Sequence, residues 1–331
     1  MKDKIQELFT ILVLAVLILS LIHIDEVKAG VVQAIENCLI GMVPSLFLNS
    51  VLSSVLIKLS GAIKPRKISR GSYGIFLAFI LGNICGYPIG AKILGDLVKE
   101  NAITKDQAEI AICFSFASGP AYVLGIVSTS VLSEKLLGFT VFVSIFLSNM
   151  VLYIICTIKL KFKSDVSISC KGFSLTDAVM ESISSSAHSM ISICSAIVFF
   201  SAIIALLPSL NPILYAVLEI SNITSLEGNG MLFFVMVTVL LSFGGLCVHM
   251  QILCMSGGNF SFKRFYLTRP IQLLLTAVFS SIGYLIVQNH ISIDADASKN
   301  IEFSSTGSIV PFICVCGMVL IALTYKKSDR V

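Results

Sequence analysis

Residues 82–92 read GNICGYPIGAK and interrupt an apolar segment that otherwise runs from Tyr73 to Leu97. In the hydrocarbon of a bilayer, every backbone N–H and C=O group must be paired within the protein. A Gly-Tyr-Pro sequence frees several of these groups, because proline lacks an N–H and glycine holds a helical conformation poorly. Such a break is tolerated only where it is buried in protein or lines a watery cavity. The stretch therefore predicts a membrane segment built around an internal site.

The composition of the chain agrees with this prediction. Of the 331 residues, 56% are hydrophobic and 13% are charged, and the mean hydropathy is +0.95. Soluble domains have about 45–50% apolar and about 25% charged residues. A soluble fold this apolar would lack polar side chains to cover its surface, so we predict an all-α polytopic membrane protein. The net charge of +4 is carried in short loops and does not favour nucleic acid as a partner.

The chain contains no recognisable catalytic or metal-binding motif. It has no HExxH, no GxSxG and no P-loop sequence. Nine of its ten cysteines lie in apolar stretches, and no group of cysteines and histidines has the spacing of a zinc site. We therefore expect no enzyme activity, no cofactor and no metal, and any transport would be secondary or passive.

Nine apolar segments are candidates for membrane segments. Three of them are interrupted, at Gly86-Tyr87-Pro88, at Ser118-Gly119-Pro120 and at Gly244-Gly245. The N-terminal segment follows Lys2 and Lys4 and resembles a secretory signal, but we favour an uncleaved transmembrane helix. The segments are 8–24, 31–59, 73–97, 108–132, 137–160, 178–207, 231–254, 265–287 and 309–324.

One short pattern occurs twice along the chain and indicates an internal repeat. Residues 81–85 (LGNIC) resemble residues 243–247 (FGGLC), and each stretch is followed by a half-helix, a polar turn and another apolar segment. We predict two inverted repeats with broken or re-entrant helices. The predicted organisation is an N-terminal transmembrane helix at 1–30, a first repeat at 31–160, a basic cytoplasmic loop at 161–175, a second repeat at 176–324 and a cytoplasmic tail at 325–331.

Charged residues restrict the topology. Basic residues cluster at 58–70, at 159–171, at 263–269 and at the C-terminus, whereas the loop 289–302 is acidic. The positive-inside rule places the basic loops in the cytoplasm and the acidic loop outside. Three apolar segments separate the first two basic loops, and an odd number of crossings would put these loops on opposite sides. Either one broken segment is re-entrant or a hairpin, or one basic loop is an exception to the rule.

The three breaks supply candidate substrate-binding residues. A half-helix that starts inside the membrane presents free N–H groups and a partial positive charge, which suit an anion. Lys92 would add a full charge near such a start; alternatively, it reaches the interface beside a proline kink, or it pairs with Asp96. Ser118 could bind a ligand or cap a kink, and His249 is either a ligand group or a packed core histidine. The candidates are Gly86, Tyr87, Pro88, Gly90, Lys92, Ser118, Gly119, Pro120, Gly244, Gly245, His249 and Gln251.

Two of these stretches resemble motifs of a known family. Residues 82–92 are similar to the G-[FY]-P-x-G-A-K signature of YlbJ-type sporulation integral membrane proteins. Residues 242–251 (SFGGLCVHMQ) are similar to the F-G-G-L-x-x-H-x-Q element of the same family. The family often has N-N-x-G-P where this chain has Phe116-Ala117-Ser118-Gly119-Pro120, so a ligand role of those asparagines does not carry over.

The resemblance implies a nucleoside-recognition or gate-type domain in each repeat, with an architecture similar to concentrative nucleoside transporters. It implies a multi-pass protein of the bacterial cytoplasmic membrane, in the mother-cell membrane around the forespore. The expected function is transport of a small metabolite for endospore formation, with the small anion dipicolinate as the leading candidate. The expected partners are this small molecule and the lipid bilayer. The alternatives are a nucleoside transporter and a non-transporting structural or assembly factor of the sporulation membrane.

Overall fold

The computed structural model describes residues 2–60, 70–159, 174–207 and 210–294. Every regular element within these ranges is helical, which confirms the all-α class. The segment 309–324, the tail 325–331 and most of the loop 161–175 lie outside the described residues. The helices are α1 Lys2–Ile22, α2 Ile24–Asn37, α3 Val43–Ser60, α4 Arg70–Ile84, α5 Ile89–Lys99, α6 Lys105–Ala111, α7 Pro120–Tyr122, α8 Ser128–Ser130, α9 Lys135–Lys159, α10 Leu175–Ala205, α11 Pro212–Leu218, α12 Gly230–Phe243, α13 Gly245–Met255 and α14 Lys263–Asp294.

Four stretches of the described chain are long and apolar enough to cross a bilayer. A crossing of roughly 30 Å of hydrocarbon needs about 20 helical residues. Many outward-facing side chains on these helices are large and apolar, and Ile158 and Leu232 are 80% and 84% exposed, as expected of residues that contact lipid. The chain is a multi-pass membrane protein. The four stretches are Lys135–Ile158, Leu175–Ala205, Gly230–Met255 and Lys263–Gln288.

The N-terminal part differs from the predicted segments. α1 ends at Ile22, the chain bends by 93° beside His23, and α2 begins at Ile24 rather than at Val31. From there a π-helical turn at Cys38–Met42 continues α2 directly into α3. Pro44 has no N–H to give to the preceding turn, and a π-turn is one of the ways a helix accommodates such a missing bond. The sequence does not show this local adjustment.

Antiparallel helix pairs form the body of the protein. α3 runs along α10, with Ser50 opposite Ser186, and α9 runs along α14, with Ser148 opposite Thr276. Small residues let the helices approach closely, as is common between membrane helices. Gly283, for example, lies directly against the side chain of Thr140.

α4 and α5 form a short antiparallel hairpin. Gly74 lies against Leu97, and Gly82 lies against Gly90, so the two helices pack along their whole length. With 15 and 11 residues, they are about 22 and 17 Å long and do not cross the hydrocarbon. The two ends of the hairpin lie on the same side of the protein, since Gly71 at the start of α4 lies against Ala102 just after α5.

Residues 112–119 cross the protein interior without forming a regular helix. Each residue from Ile112 to Ser118 is at most 1% exposed, so the carbonyl groups of this stretch cannot reach water. Buried carbonyl groups must find donors within the protein. Four of them accept hydrogen bonds from other elements: Cys113 O from Arg269 Nη2 (2.7 Å), Phe114 O from Asn83 Nδ2 (3.0 Å), Phe116 O from Asn149 Nδ2 (2.9 Å) and Ala117 O from Tyr87 N (2.8 Å).

Two of these donors belong to a larger buried network. Asn149 Nδ2 also donates to Asn83 Oδ1 at 2.7 Å, and Gln272 donates to Ser242 Oγ at 2.6 Å and toward Asn149 Oδ1 at 3.4 Å. Thr276 joins the same network from the next turn of α14. All of these side chains are fully buried. The network connects α4, α9, α12 and α14 around the non-helical stretch, so packing of the helices depends on it.

Replacing Asn149 by Leu tests this dependence. The change leaves Phe116 O and Asn83 Oδ1 without their donor from Asn149, and each unpaired buried acceptor costs about 1–3 kcal/mol. We expect the unfolding free energy to fall by about 2–6 kcal/mol. The measurement is the midpoint of thermal unfolding in detergent, followed through the reaction of buried thiols. Ser195→Ala is the control, because that exposed hydroxyl bonds within its own helix. Equal midpoints for the two variants would contradict the expectation.

Candidate functional site

The three sequence breaks meet in the interior. Gly86 packs backbone to backbone against Gly119, where a Cβ would lie 2.7 Å from the Gly119 nitrogen. The ring of Tyr87 stacks on Phe116 with 5.0 Å between centroids. Gly244 lies against both of these rings, since a Cβ there would be 2.8 Å from Phe116 and 3.3 Å from Tyr87. The structure thus brings the predicted residues of all three breaks into one region.

Glycine is required at the third break for two reasons. Gly244 and Gly245 have φ angles of +85° and +75°, a conformation that residues with a Cβ adopt rarely. Gly245 also approaches the junction between α11 and the 3-10 helix at Ile220–Ser225: a Cβ would lie 3.1 Å from Ile220 N and 3.2 Å from Ala216 O. The double glycine both ends α12 and lets this junction reach the centre of the protein.

The two half-helices that follow the matched breaks run in the same direction. Tyr87, before α5, lies beside Gly244, before α13, and Gly95 lies against Ser256 at the other end of the pair. Halves related by an inverted repeat would place corresponding half-helices in opposite directions. The similarity between residues 81–85 and 243–247 therefore does not identify a pair of inverted elements.

Lys92 is buried and lies in the first turns of α5. Only 5% of its surface is exposed, so it does not reach to a water interface. Among the described residues, its ammonium group donates to three hydroxyls and has no carboxylate within 4.0 Å, Asp96 included. The partners are Ser54 Oγ at 3.0 Å, Ser186 Oγ at 3.3 Å and Ser50 Oγ at 3.5 Å.

His249 lies in a different environment, with aromatic side chains around it. Its Nε2 is 3.0 Å from the carbonyl oxygen of Phe243, a distance at which a protonated Nε2 donates a hydrogen bond. The imidazole is 6% exposed, and none of its partners is a partner of Lys92. Gln251 donates to Cys247 Sγ at 3.4 Å within α13. The rings around His249 are those of Phe116, Phe243, Phe265 and Tyr266, at centroid distances from 4.7 to 5.8 Å.

Arg269 is a buried cation that the sequence does not single out. The charge pattern assigns it to a basic loop, which is wrong, because it lies inside α14 and is 4% exposed. Its guanidinium carbon is 4.4 Å from the centroid of Phe265 and 5.0 Å from that of Phe116. Nη2 donates to the carbonyl of Cys113, whereas Nε and Nη1 have no partner among the described residues. Arg269 thus holds the end of α6 against the aromatic rings.

Glu219 is a second buried charge that pattern reasoning missed. It is 2% exposed and precedes the 3-10 helix, where its carboxylate accepts hydrogen bonds from Ser221 N at 3.1 Å and Asn222 Nδ2 at 3.3 Å. The carboxylate also acts electrostatically on the hydroxyls of Tyr87 and Tyr122. A single acidic residue between two apolar segments looks like an ordinary loop residue, so no sequence signal indicates its burial.

Several hydroxyls near the meeting point of the breaks have no hydrogen-bond partner. Those of Tyr87, Ser118 and Tyr122 are buried and unpaired among the described residues. Ser118 faces the Tyr87 hydroxyl, but the two groups do not form a hydrogen bond of normal geometry. Pro120 starts α7 at the first helical position, which proline tolerates. The three hydroxyls are therefore able to form hydrogen bonds with a bound molecule.

Comparison with protein-family models, curated proteins and solved structures found no match to this chain.

Gly90→Ala tests the contact on which the site is built. A Cβ at Gly90 would lie 2.0 Å from the carbonyl oxygen of Ser115, and a backbone atom cannot give way cheaply. We expect the hairpin to be forced away from residues 112–119, at a cost of about 1–3 kcal/mol or more. Gly125→Ala is the matched control, since nothing lies within 4 Å of a Cβ there. Yield and thermal midpoint of the purified protein are the measurements, and equal values for both variants would contradict the contact.

Proposed function

We propose that this chain is a membrane transporter of a small anion and that Lys92 binds the anion. The supporting observation is a buried ammonium group that is surrounded by hydroxyls and has no ion-pair partner among the described residues. Ionisable residues are costly inside a membrane and are usually paired or functional. Three serine hydroxyls solvate the ammonium, and Asp96 acts on it electrostatically from the next turn of α5 without an ion-pair contact, so a small anion could still bind the ammonium directly.

The position of Lys92 supports an anion over a neutral substrate. Lys92 lies near the start of α5, which follows the break at Gly86–Pro88. The dipole of a helix start favours negative charge within the first turn. Gly90 keeps this helix start free of a side chain that would crowd residue 115. Helix dipole and ammonium would act together on a carboxylate or a similar group.

The architecture proposed here is one of two inverted halves, each with a re-entrant element and a broken span. The first half would contain the α4–α5 hairpin and the span broken between α6 and α7. The second half would contain the short elements from α11 to the 3-10 helix and the span broken at Gly244-Gly245. The antiparallel pairs α3–α10 and α9–α14 support this matching, because corresponding outer helices of inverted repeats run in opposite directions. Similarity to concentrative nucleoside transporters belongs to the same proposal.

The motif resemblance leads to a biological proposal. The chain would be a YlbJ-type protein of the bacterial cytoplasmic membrane that acts during endospore formation, in the mother-cell membrane around the forespore. Its substrate would be dipicolinate or a similar small anion that moves toward the forespore. A planar carboxylate-bearing molecule suits a site made of an ammonium, hydroxyls and a helix start.

Lys92→Met tests the proposed function. Charge-assisted hydrogen bonds contribute about 1.5–3 kcal/mol, so loss of the ammonium is expected to weaken anion binding by roughly 10- to 100-fold. The measurement is uptake of labelled dipicolinate into proteoliposomes, with equal amounts of inserted protein. Lys99→Met is the matched control, because Lys99 lies on the same helix but is exposed.

Three outcomes of this experiment would contradict the proposal. Normal uptake by the Lys92→Met protein would exclude the assigned site. Absence of uptake by the unaltered protein, for dipicolinate and for nucleosides alike, would favour a structural or assembly factor of the sporulation membrane. Uptake of nucleosides without uptake of dipicolinate would show that the substrate is a nucleoside and not an anion.

A further inference from the structure

Four serines line the contact between α3 and α10 on the side that faces α5. We call Ser50, Ser54, Ser182 and Ser186 the serine seam. The two members on each helix are four residues apart and therefore lie one turn apart on the same face. Ser50, Ser182 and Ser186 are at most 1% exposed, and Ser54 is 8% exposed. The seam is thus a buried row of hydroxyls inside a membrane protein.

Neighbouring serines show what a purely structural hydroxyl does in these helices. Serine in a membrane helix commonly donates to a carbonyl of its own preceding turn. Ser53 donates to Ser50 O at 3.0 Å, and Ser189 donates to Ser185 O at 2.8 Å. Such bonds leave no hydroxyl available to a ligand.

The serine seam behaves differently. Ser50 Oγ donates across the helix contact to Ser186 Oγ at 3.0 Å, and both hydroxyls, with that of Ser54, accept from Lys92. Ser182 Oγ, one turn before Ser186, has no partner among the described residues. Burying a hydroxyl without a partner is costly. The serine seam therefore contains hydroxyl groups that are not needed for helix packing and can bond to a ligand.

Charged residues continue the seam to one end of the protein. Lys58 lies one turn beyond Ser54 on α3, and its ammonium is 2.8 Å from the Glu181 carboxylate, next to Ser182 on α10. The Lys58 side chain is 12% exposed and that of Glu181 is 59% exposed, so the pair is where the seam meets the surface. Asp96, one turn beyond Lys92, acts electrostatically on both lysines. A row of polar groups thus runs from the surface to Lys92.

We propose that the serine seam is the path by which the anion reaches Lys92 and that Lys58 is the first position where it binds. This inference rests on the proposed anion transport. Glu181 occupies Lys58 when no anion is present, and the arriving carboxylate takes its place. The O–H groups of Ser54, Ser182 and Ser186 then donate to the anion along the row, in place of water. The ion pair keeps the path closed between transport events.

Cysteine labelling tests the path without depending on transport. Ser182→Cys is introduced, and the protein in liposomes is treated with a water-soluble thiol reagent that carries a sulfonate group. Mass spectrometry then identifies the modified residue. We expect Ser182→Cys to be modified, whereas Ile191→Cys is not, because Ile191 lies on α10 at an exposed position that contacts lipid.

Changes at the surface pair make the test specific. With Glu181→Gln added, the ion pair between Lys58 and residue 181 is lost, and we expect the labelling rate of Ser182→Cys to rise several-fold. Saturating dipicolinate is expected to slow the labelling at least several-fold. If Ser182→Cys remains unmodified in both backgrounds, the path is excluded, and if it is modified at a rate that dipicolinate does not change, dipicolinate is excluded as the anion in the path. Failure of uptake by the unaltered protein concerns the proposed function, whereas labelling alone decides whether the seam opens.

Discussion

The fold depends on pairing the backbone carbonyls of residues 112–119 inside a membrane. Water is absent there, so each carbonyl needs a donor from the protein. Asn83, Asn149 and Arg269 supply three of these donors from α4, α9 and α14. The same bonds that pair the backbone therefore also hold the helices together. Lipid offers little hydrophobic drive for helix association. Buried polar side chains therefore hold the helices of this protein together, whereas hydrophobic burial does so in a soluble protein.

Glycine makes this arrangement possible at close range. Gly82 and Gly90 leave room for the Ser115 carbonyl between α4 and α5, and Gly86 packs on Gly119. Any side chain at these positions would separate the hairpin tip from the buried stretch. The hairpin tip, the stretch and the double glycine at 244–245 thus form one central region, where several buried hydroxyls have no hydrogen-bond partner among the described residues. Function and folding depend on the same backbone contacts here.

The buried charges lie in separate environments. Lys92 faces serine hydroxyls, Arg269 lies against phenylalanine rings, and Glu219 caps a short helix. Arg269 donates to a backbone carbonyl and Glu219 accepts from a backbone N–H, so each has a hydrogen-bond partner in the backbone. Among the described residues, Lys92 bonds only to hydroxyls. This difference distinguishes Lys92 as the candidate for ligand binding. It also separates Lys92 from His249, which the sequence had placed in the same candidate set.

Sequence by itself determined the membrane class, the helical fold and the positions of the three breaks, because hydropathy, glycine and proline act locally. The charges of the basic loops left two topologies open, one with a re-entrant segment and one in which a basic loop is an exception to the positive-inside rule. Only the tertiary structure decided that α5 and α13 run in parallel, that Arg269 is buried, and that Lys92 contacts serines on two other helices. Those facts depend on contacts between residues far apart in the chain, such as Ser50 with Ser186. Nothing in the local composition of either helix specifies such a partner, since any serine on a membrane helix can instead bond to its own preceding turn.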